Sequence, residues 1–354
     1  MRKKHFLFAS VLALLCGSST LHAQDFKLTS SGYFKNQGVD VMAFDDIYPE
    51  GHQGGVCIIM NGHRVATNGD IRLEATPGQW QPVPKQLDRK LGDNSITATL
   101  CYPDSSRHLT GFNPMIYPDL HLIYTVNVES KGKNIEVTVD LDRPIPQEFI
   151  GKVGFNLEFF PGSLFGKPWI MDGQSGIFPQ QPNSPLMTTQ PNYLHTGNYH
   201  DGKKSLADMD KLIGKGYSPI VADDIISEPY AKGTKFTSRP DDPYNKVTIE
   251  SLSGDLQLFD GRMNHNNGWF VLRSNIKPGV TKGAVKWIIT PNVVADWMYQ
   301  PVIQTSQIGY HPTQDKEAVI EMDIRDNRKE TAQIIRIDAC LLYTSPSPRD
   351  AHES

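Results

Sequence analysis

Residue types that do hydrolytic chemistry are present in this 354-residue chain, but not at the spacings the chemistry requires. Acidic pairs occur at Asp45-Asp46, Asp223-Asp224 and Asp241-Asp242. Neighbouring residues on a strand point to opposite faces, so such a pair does not aim two carboxylates at one bond. Gly173-Gln174-Ser175-Gly176 is one residue short of the G-x-S-x-G nucleophile elbow. There is no H-E-x-x-H pair for zinc and no phosphate-cradling P-loop. Asp45, Asp46, Glu50 and His52 could gather round a cation, but carboxylates in a Pro/Gly-rich turn commonly hold their own backbone instead. These patterns assign no catalytic residue, no metal ligand and no cofactor.

Aromatic residues are the remaining candidates for recognition. An indole or phenol ring beside polar groups suits the apolar C–H face of a sugar. Trp80 lies between Gln79 and Gln81 in a Pro-rich loop, and Trp169 follows Gly166-Lys167-Pro168. Tyr193, His195 and Tyr199 fall in a long loop-rich stretch. Trp80, Trp169, Tyr193 and Tyr199 are therefore the candidate carbohydrate-binding residues, with packing under loops as the competing role for both Trp residues. Trp269 and Trp287 sit in strand-like runs and are expected in the core.

The elements that would position them are strands. Leu120, Leu122, Tyr124, Val126 and Val128 alternate with polar residues, and Ile135, Val137, Val139 and Leu141 do so after Lys131-Gly132-Lys133. Two period-two runs around a short Gly-containing turn predict a β-hairpin with one buried face. Similar runs at 96–100, 155–159, 247–249, 256–259, 270–272 and 285–289 predict a mainly β fold, a large antiparallel β-sandwich. The 29 Gly and 25 Pro agree with many short strands and turns. One helix is predicted, over 205–214, inside a long loop insertion at about 161–243.

Net charge is −4, which gives no basic field for nucleic acid or an anionic membrane. Arg2, Lys3 and Lys4, the apolar run 6–15 and the small residue Ala23 have the form of a secretory signal over residues 1–23. That run is too short to span a bilayer, and no later run is apolar enough, so the mature chain is expected to be exported, periplasmic or extracellular. Lipid anchoring through Cys16 is the alternative, disfavoured by the bulky Leu15 before it. Cys57 and Cys101 could pair after export or stand as buried thiols.

Near the C-terminus, Gln304–Glu321 reads QTSQIGYHPTQDKEAVIE: a Gln307-Ile308-Gly309-Tyr310 start, a turn through Pro312, then Lys316 and an alternating strand. This stretch resembles the first two strands of the immunoglobulin-like domain that precedes the catalytic domain in many bacterial family 9 glycoside hydrolases, with Ser306 where Asn is frequent. Residues 44–62, 76–85, 102–120 and 151–169 are similar to an N-terminal region found before that domain in exported members of the family. The resemblance implies a non-catalytic β-sandwich over 24–300, followed at 301–338 by the first strands of an incomplete immunoglobulin-like domain, since a whole one needs about 100 residues. Residues 339–354 have the look of an adaptor-derived tail. For the full-length enzyme it implies hydrolysis of β-1,4-glucans such as cellulose or xyloglucan, with inversion by two carboxyl groups. The partners would then be a β-glucan and the enzyme's own catalytic domain. The family's Asp-Ala-Gly-Asp motif is not in this sequence. A free-standing glycan-binding β-sandwich, or a hydrolase with a site in the 161–243 insertion, remain open alternatives.

Overall fold

The computed structural model of the chain describes residues 25–45, 54–74, 76–77, 84–102, 120–182, 186–187, 226–263 and 268–327. Two compact units divide between Trp297 and Met298.

In the first unit the described strands form two nine-stranded sheets. One begins with β1 (Lys27–Leu28), β2 (Phe34–Asn36), β3 (Val39–Ala43), β4 (Val56–Met60) and β5 (His63–Leu73). The other contains β6 (Lys85–Leu91), β7 (Ser95–Cys101), β8 (Ile123–Lys131) and β9 (Asn134–Leu141). The chain returns to the first sheet with β10 (Val153–Phe159), then adds β11 (Pro168–Met171) and β12 (Gln174–Ile177) to the second. β13 (Leu186–Met187) and β14 (Ile226–Ser227) pair only with each other. The rest are shared between the sheets, β15 (Ala231–Gly233), β18 (Leu256–Asp260) and β19 (Phe270–Asn275) in the first and β16 (Lys235–Ser238), β17 (Val247–Ser251) and β20 (Val285–Pro291) in the second. The resulting orders are β1-β2-β3-β4-β5-β10-β19-β18-β15 and β12-β11-β16-β17-β20-β9-β8-β7-β6. Every described strand pair is antiparallel.

Local sequence explains the hairpins. Lys131 pairs with Asn134 around Gly132, whose φ is +65°, as the alternation predicts. Asn61-Gly62 joins β4 to β5 with φ of +52° and +82°, the pattern of a type I′ turn that matches strand twist. On β9 every second residue is buried, so one face meets the core. On β10 both faces are buried, which marks a central strand covered on each side.

The core between the sheets is apolar and aromatic. Phe155 of β10 meets Trp287 of β20 edge-on with ring centroids 5.0 Å apart, and Phe159 meets Phe236 of β16 at 5.8 Å. The Trp287 indole N–H donates to Ser274 Oγ at 3.0 Å, so this large residue brings no unpaired polar group into the core.

Several sequence expectations change here. The 161–243 stretch is not all loop: β11, β12, β15 and β16 lie within it and extend both sheets. They are three or four residues long, too short for alternation to register. Trp269 is half-buried, its ring 4.4 Å from that of Phe160, while Trp287 is fully enclosed. Cys57 and Cys101 are buried and are not joined in a disulfide. The helix expected over 205–214 lies outside the described residues.

The second unit, taken alone, holds a hairpin of β21 (Val302–Gln304) and β22 (Val319–Glu321). Tyr310 Oη accepts from the Ser306 N–H at 3.1 Å and donates to the Glu317 carbonyl, closing the connecting turn. Replacing Trp287 with Ala should destabilise the first unit by about 3–5 kcal/mol. Urea unfolding measures it, and a loss under about 1 kcal/mol would place the core elsewhere.

Candidate functional site

The alternation on β5 that sends Ile71 and Leu73 inward sends Asp70 and Arg72 to the opposite face, with Glu74 just past the strand. Register extends that row across the sheet. Asp70 stands opposite Asn156, Asn156 opposite Arg273, and Arg72 opposite Gly154, which faces Asn275. This polar face is not solvated. Asp70, Glu74 and Arg273 are each 1% exposed, and Arg72, Asn156 and Glu158 are also buried.

Arg273 ties the three central strands together. Its Nη2 donates to the Glu74 carbonyl at 2.9 Å, its Nε to Asn275 Oδ1 at 2.7 Å, and its Nη1 to Glu74 Oε1 and Asn156 Oδ1 at 3.3 Å each. Asn156 Nδ2 donates to Glu74 Oε1 at 2.6 Å. Gly154 makes room for this arrangement: a Cβ there would lie 2.8 Å from Arg273 Nε and 2.8 Å from the Ser274 carbonyl.

A bulge shapes the neighbouring part of the row. Pairing of β10 with β5 slips between Asn156 and Glu158, where Asn68 takes a φ of +56°. Asn68 Nδ2 then donates to Glu158 Oε2 at 2.6 Å. Asp70 Oδ1 accepts from Tyr124 Oη at 2.9 Å and from the Ile71 N–H at 2.7 Å. Tyr102 Oη donates to the Ile71 carbonyl at 3.1 Å.

Burial sets the electrostatics. It raises the Glu74 carboxyl to about 7, against the opposing pull of Arg273 and Arg72, and raises Asp70 to about 6, against Arg72. Burial alone would lower Arg72, but Glu158, Asp70 and Glu74 raise it overall and keep it charged. Burial also drives the Tyr102 and Tyr124 phenols well above their ordinary value, so both remain hydrogen-bond donors. Three carboxyl groups thus face two guanidinium groups, and the cluster balances when one carboxyl keeps its proton.

A carboxyl titrating near neutrality has the proton affinity of a general acid–base. Glu74 lacks the second requirement, because at 1% exposure a reacting atom cannot come within hydrogen-bond reach. In this arrangement the cluster orders three strands.

A second buried ion pair anchors the stretch after β12. Arg262 donates to both Asp260 oxygens at 2.8 Å and to the carbonyls of Pro179 and Gln180 at 2.8 Å, and it stacks over Phe165 and Phe270.

Of the residues expected to touch carbohydrate, Trp80, Tyr193 and Tyr199 lie outside the described residues. Trp169 is on β11, 6% exposed, with its indole filling the space beside Gly176, where a Cβ would come within 2.5 Å of the ring. Its ring therefore offers no open face to a sugar. Of the acidic loop, Asp46, Glu50 and His52 are outside the described residues, while Asp45 faces Arg89 at 3.6 Å. No group of three or more His, Cys, Asp or Glu placed to hold a metal occurs among the described residues. The Asp70–Arg273 row was missed because its polar alternation reads as a solvated strand face.

No family model and no curated protein matches the chain. Among solved structures it is similar to the Slr1438 protein from Synechocystis sp. PCC 6803, with a TM-score of 0.33 and 10% identity over 82% of this chain and 100% of that one. A galactose mutarotase related enzyme from Lactobacillus acidophilus gives a TM-score of 0.31 and 9% identity over 73% and 96%. The YeaD protein from Salmonella typhimurium gives 0.30 and 8% over 75% and 96%. Likeness at those scores carries no argument about function.

The cluster has a pH signature. Glu74 moves from an ordinary 4.5 to about 7 and Asp70 from 3.8 to about 6, so the folded chain holds protons that the unfolded chain has released. Stability from these groups is therefore full at low pH and falls as pH rises through their folded values, by on the order of 3 kcal/mol for Glu74. Urea unfolding between pH 5 and pH 8 should show this fall in the native chain and a shallower one in Glu74→Gln. Equal slopes in the two proteins would contradict the assignment.

Proposed function

We propose that residues 24–300 form a non-catalytic β-sandwich region of an exported family 9-type glycoside hydrolase acting on β-1,4-glucans, and that an immunoglobulin-like module begins at 301. The observation that carries the reading is the Gln304–Glu321 stretch. Its resemblance calls for a strand, a Pro-containing turn and a second strand, and the unit from Met298 onward has β21, a turn closed by Tyr310, and β22.

On this reading the sandwich is a non-catalytic accessory domain, and hydrolysis belongs to a helical-barrel catalytic domain that carries the Asp-Ala-Gly-Asp motif. The test is the genomic sequence downstream of the codon for Asp338. It should continue in frame through the remaining immunoglobulin-like strands into that motif. A continuous frame lacking the motif would overturn the reading. The chain itself should release no reducing sugar from carboxymethylcellulose or xyloglucan above a blank, and steady turnover would equally contradict it.

A further inference from the structure

At one end of the first unit, turns from both sheets meet near the exposed Tyr244 and the half-buried Trp297. The β4–β5 turn reaches the β2–β3 turn through the Asn61 N–H, which donates to the Gly38 carbonyl at 2.6 Å. Asn61 Nδ2 donates to the Tyr244 carbonyl at 2.5 Å, in the loop between β16 and β17. Gln37 Nε2 donates to the Trp297 carbonyl at 2.6 Å. The Trp297 ring rests on Gly38: a Cβ there would lie 2.7 Å from Trp297 Cε3 and 2.6 Å from Asn61 Oδ1. Gly38 also has a φ of +65°, so both the close approach and the backbone call for glycine. The indole, the Asn61 amide and the Tyr244 backbone are thereby neighbours.

Tyr244 is 48% exposed, yet its loop is firmly held. Asp242 accepts from the Tyr244 N–H at 2.9 Å, from Asn245 Nδ2 at 3.1 Å and from Arg239. Asn292 Nδ2 donates to the Pro243 carbonyl at 2.7 Å. Arg239 itself takes a φ of +51°. An exposed ring on a fixed loop loses little freedom when something stacks on it, which favours binding. Arg239 and Asp242 neutralise each other, and uncharged amides lie close by: Asn61 Oδ1 and the Trp297 ring both come up against Gly38, while Gln37 and Asn292 donate to the Trp297 and Pro243 carbonyls. A ring face with amide donors and acceptors beside it suits a neutral pyranose, whose C–H face stacks while its hydroxyls bond the amides.

We propose that Tyr244 and Trp297, with the Asn61 amide between them, form a contact surface for a neutral glycan chain. Choosing a β-1,4-glucan as that glycan rests on the function proposed above. The test is native affinity electrophoresis of the full chain in gels containing hydroxyethylcellulose or xyloglucan. The native protein should be retarded. Tyr244→Ala should weaken retention roughly three- to tenfold, Tyr244→Phe should keep most of it, and Tyr244→Ala with Trp297→Ala should abolish it. Because the Tyr244 side chain is half-exposed, Tyr244→Ala should leave the unfolding midpoint unchanged, which separates lost contact from lost fold. Retention unaltered by Tyr244→Ala and by Trp297→Ala would overturn the surface, as would no retardation of the native chain on either glucan. Either result leaves the downstream-sequence test of the function as it stands.

Discussion

A guanidinium group buried in the middle of a sheet is costly unless its donors and its charge are matched. Arg273 meets that constraint with Glu74, Asn156 and Asn275, and with nothing at Gly154. These partners come from β10, β19 and the residue that follows β5, three adjacent strands, so matching one charge fixes the alignment of all three. A register slip of one residue would turn Arg273 to the opposite face, among Phe155, Ile71 and Trp287. Breaking such a network leaves an unpaired charge, which costs far more than the intact pair contributes. The cluster therefore specifies alignment more than it adds net stability.

The other face of the same strands is built differently. Phe155 and Ser274 meet Trp287 from the second sheet, and Phe159 meets Phe236. Apolar burial holds the two sheets together there, without directional demands. Central strands of the first sheet thus carry an apolar face that binds the layers and a charged face that sets register. Arg262 with Asp260 repeats the second device where the chain leaves β12.

Much of this fold was legible in the sequence. The β8–β9 hairpin follows from alternation around Gly132, and the runs at 155–159, 247–249, 256–259, 270–272 and 285–289 lie in β10, β17, β18, β19 and β20. Burial of the polar face was not legible. The sequence around Asp70, Arg72 and Glu74 alternates charged with apolar residues, and period two says only that the two faces differ. Whether the charged face meets water depends on what packs over it, and Tyr124 of β8, far along the chain, reaches Asp70. Trp169 was misleading for a similar reason, since its loop-like setting hid the small Gly176 over which its ring packs. Nothing in the sequence marks Tyr244, since it takes the structure to show that Asp242 of the neighbouring acidic pair holds its loop.

The buried ionisable residues of the first unit thus serve alignment, while the exposed Tyr244 lies on a firmly held turn. The measurement that tests this account most directly is a carbon-13 NMR titration of the Glu74 side-chain carboxyl in the native chain. The account predicts a midpoint near 7, since burial outweighs the attraction of Arg273 and Arg72. A midpoint near the ordinary 4.5 would mean that water reaches the carboxyl and that the row is not the closed, charge-matched core described above.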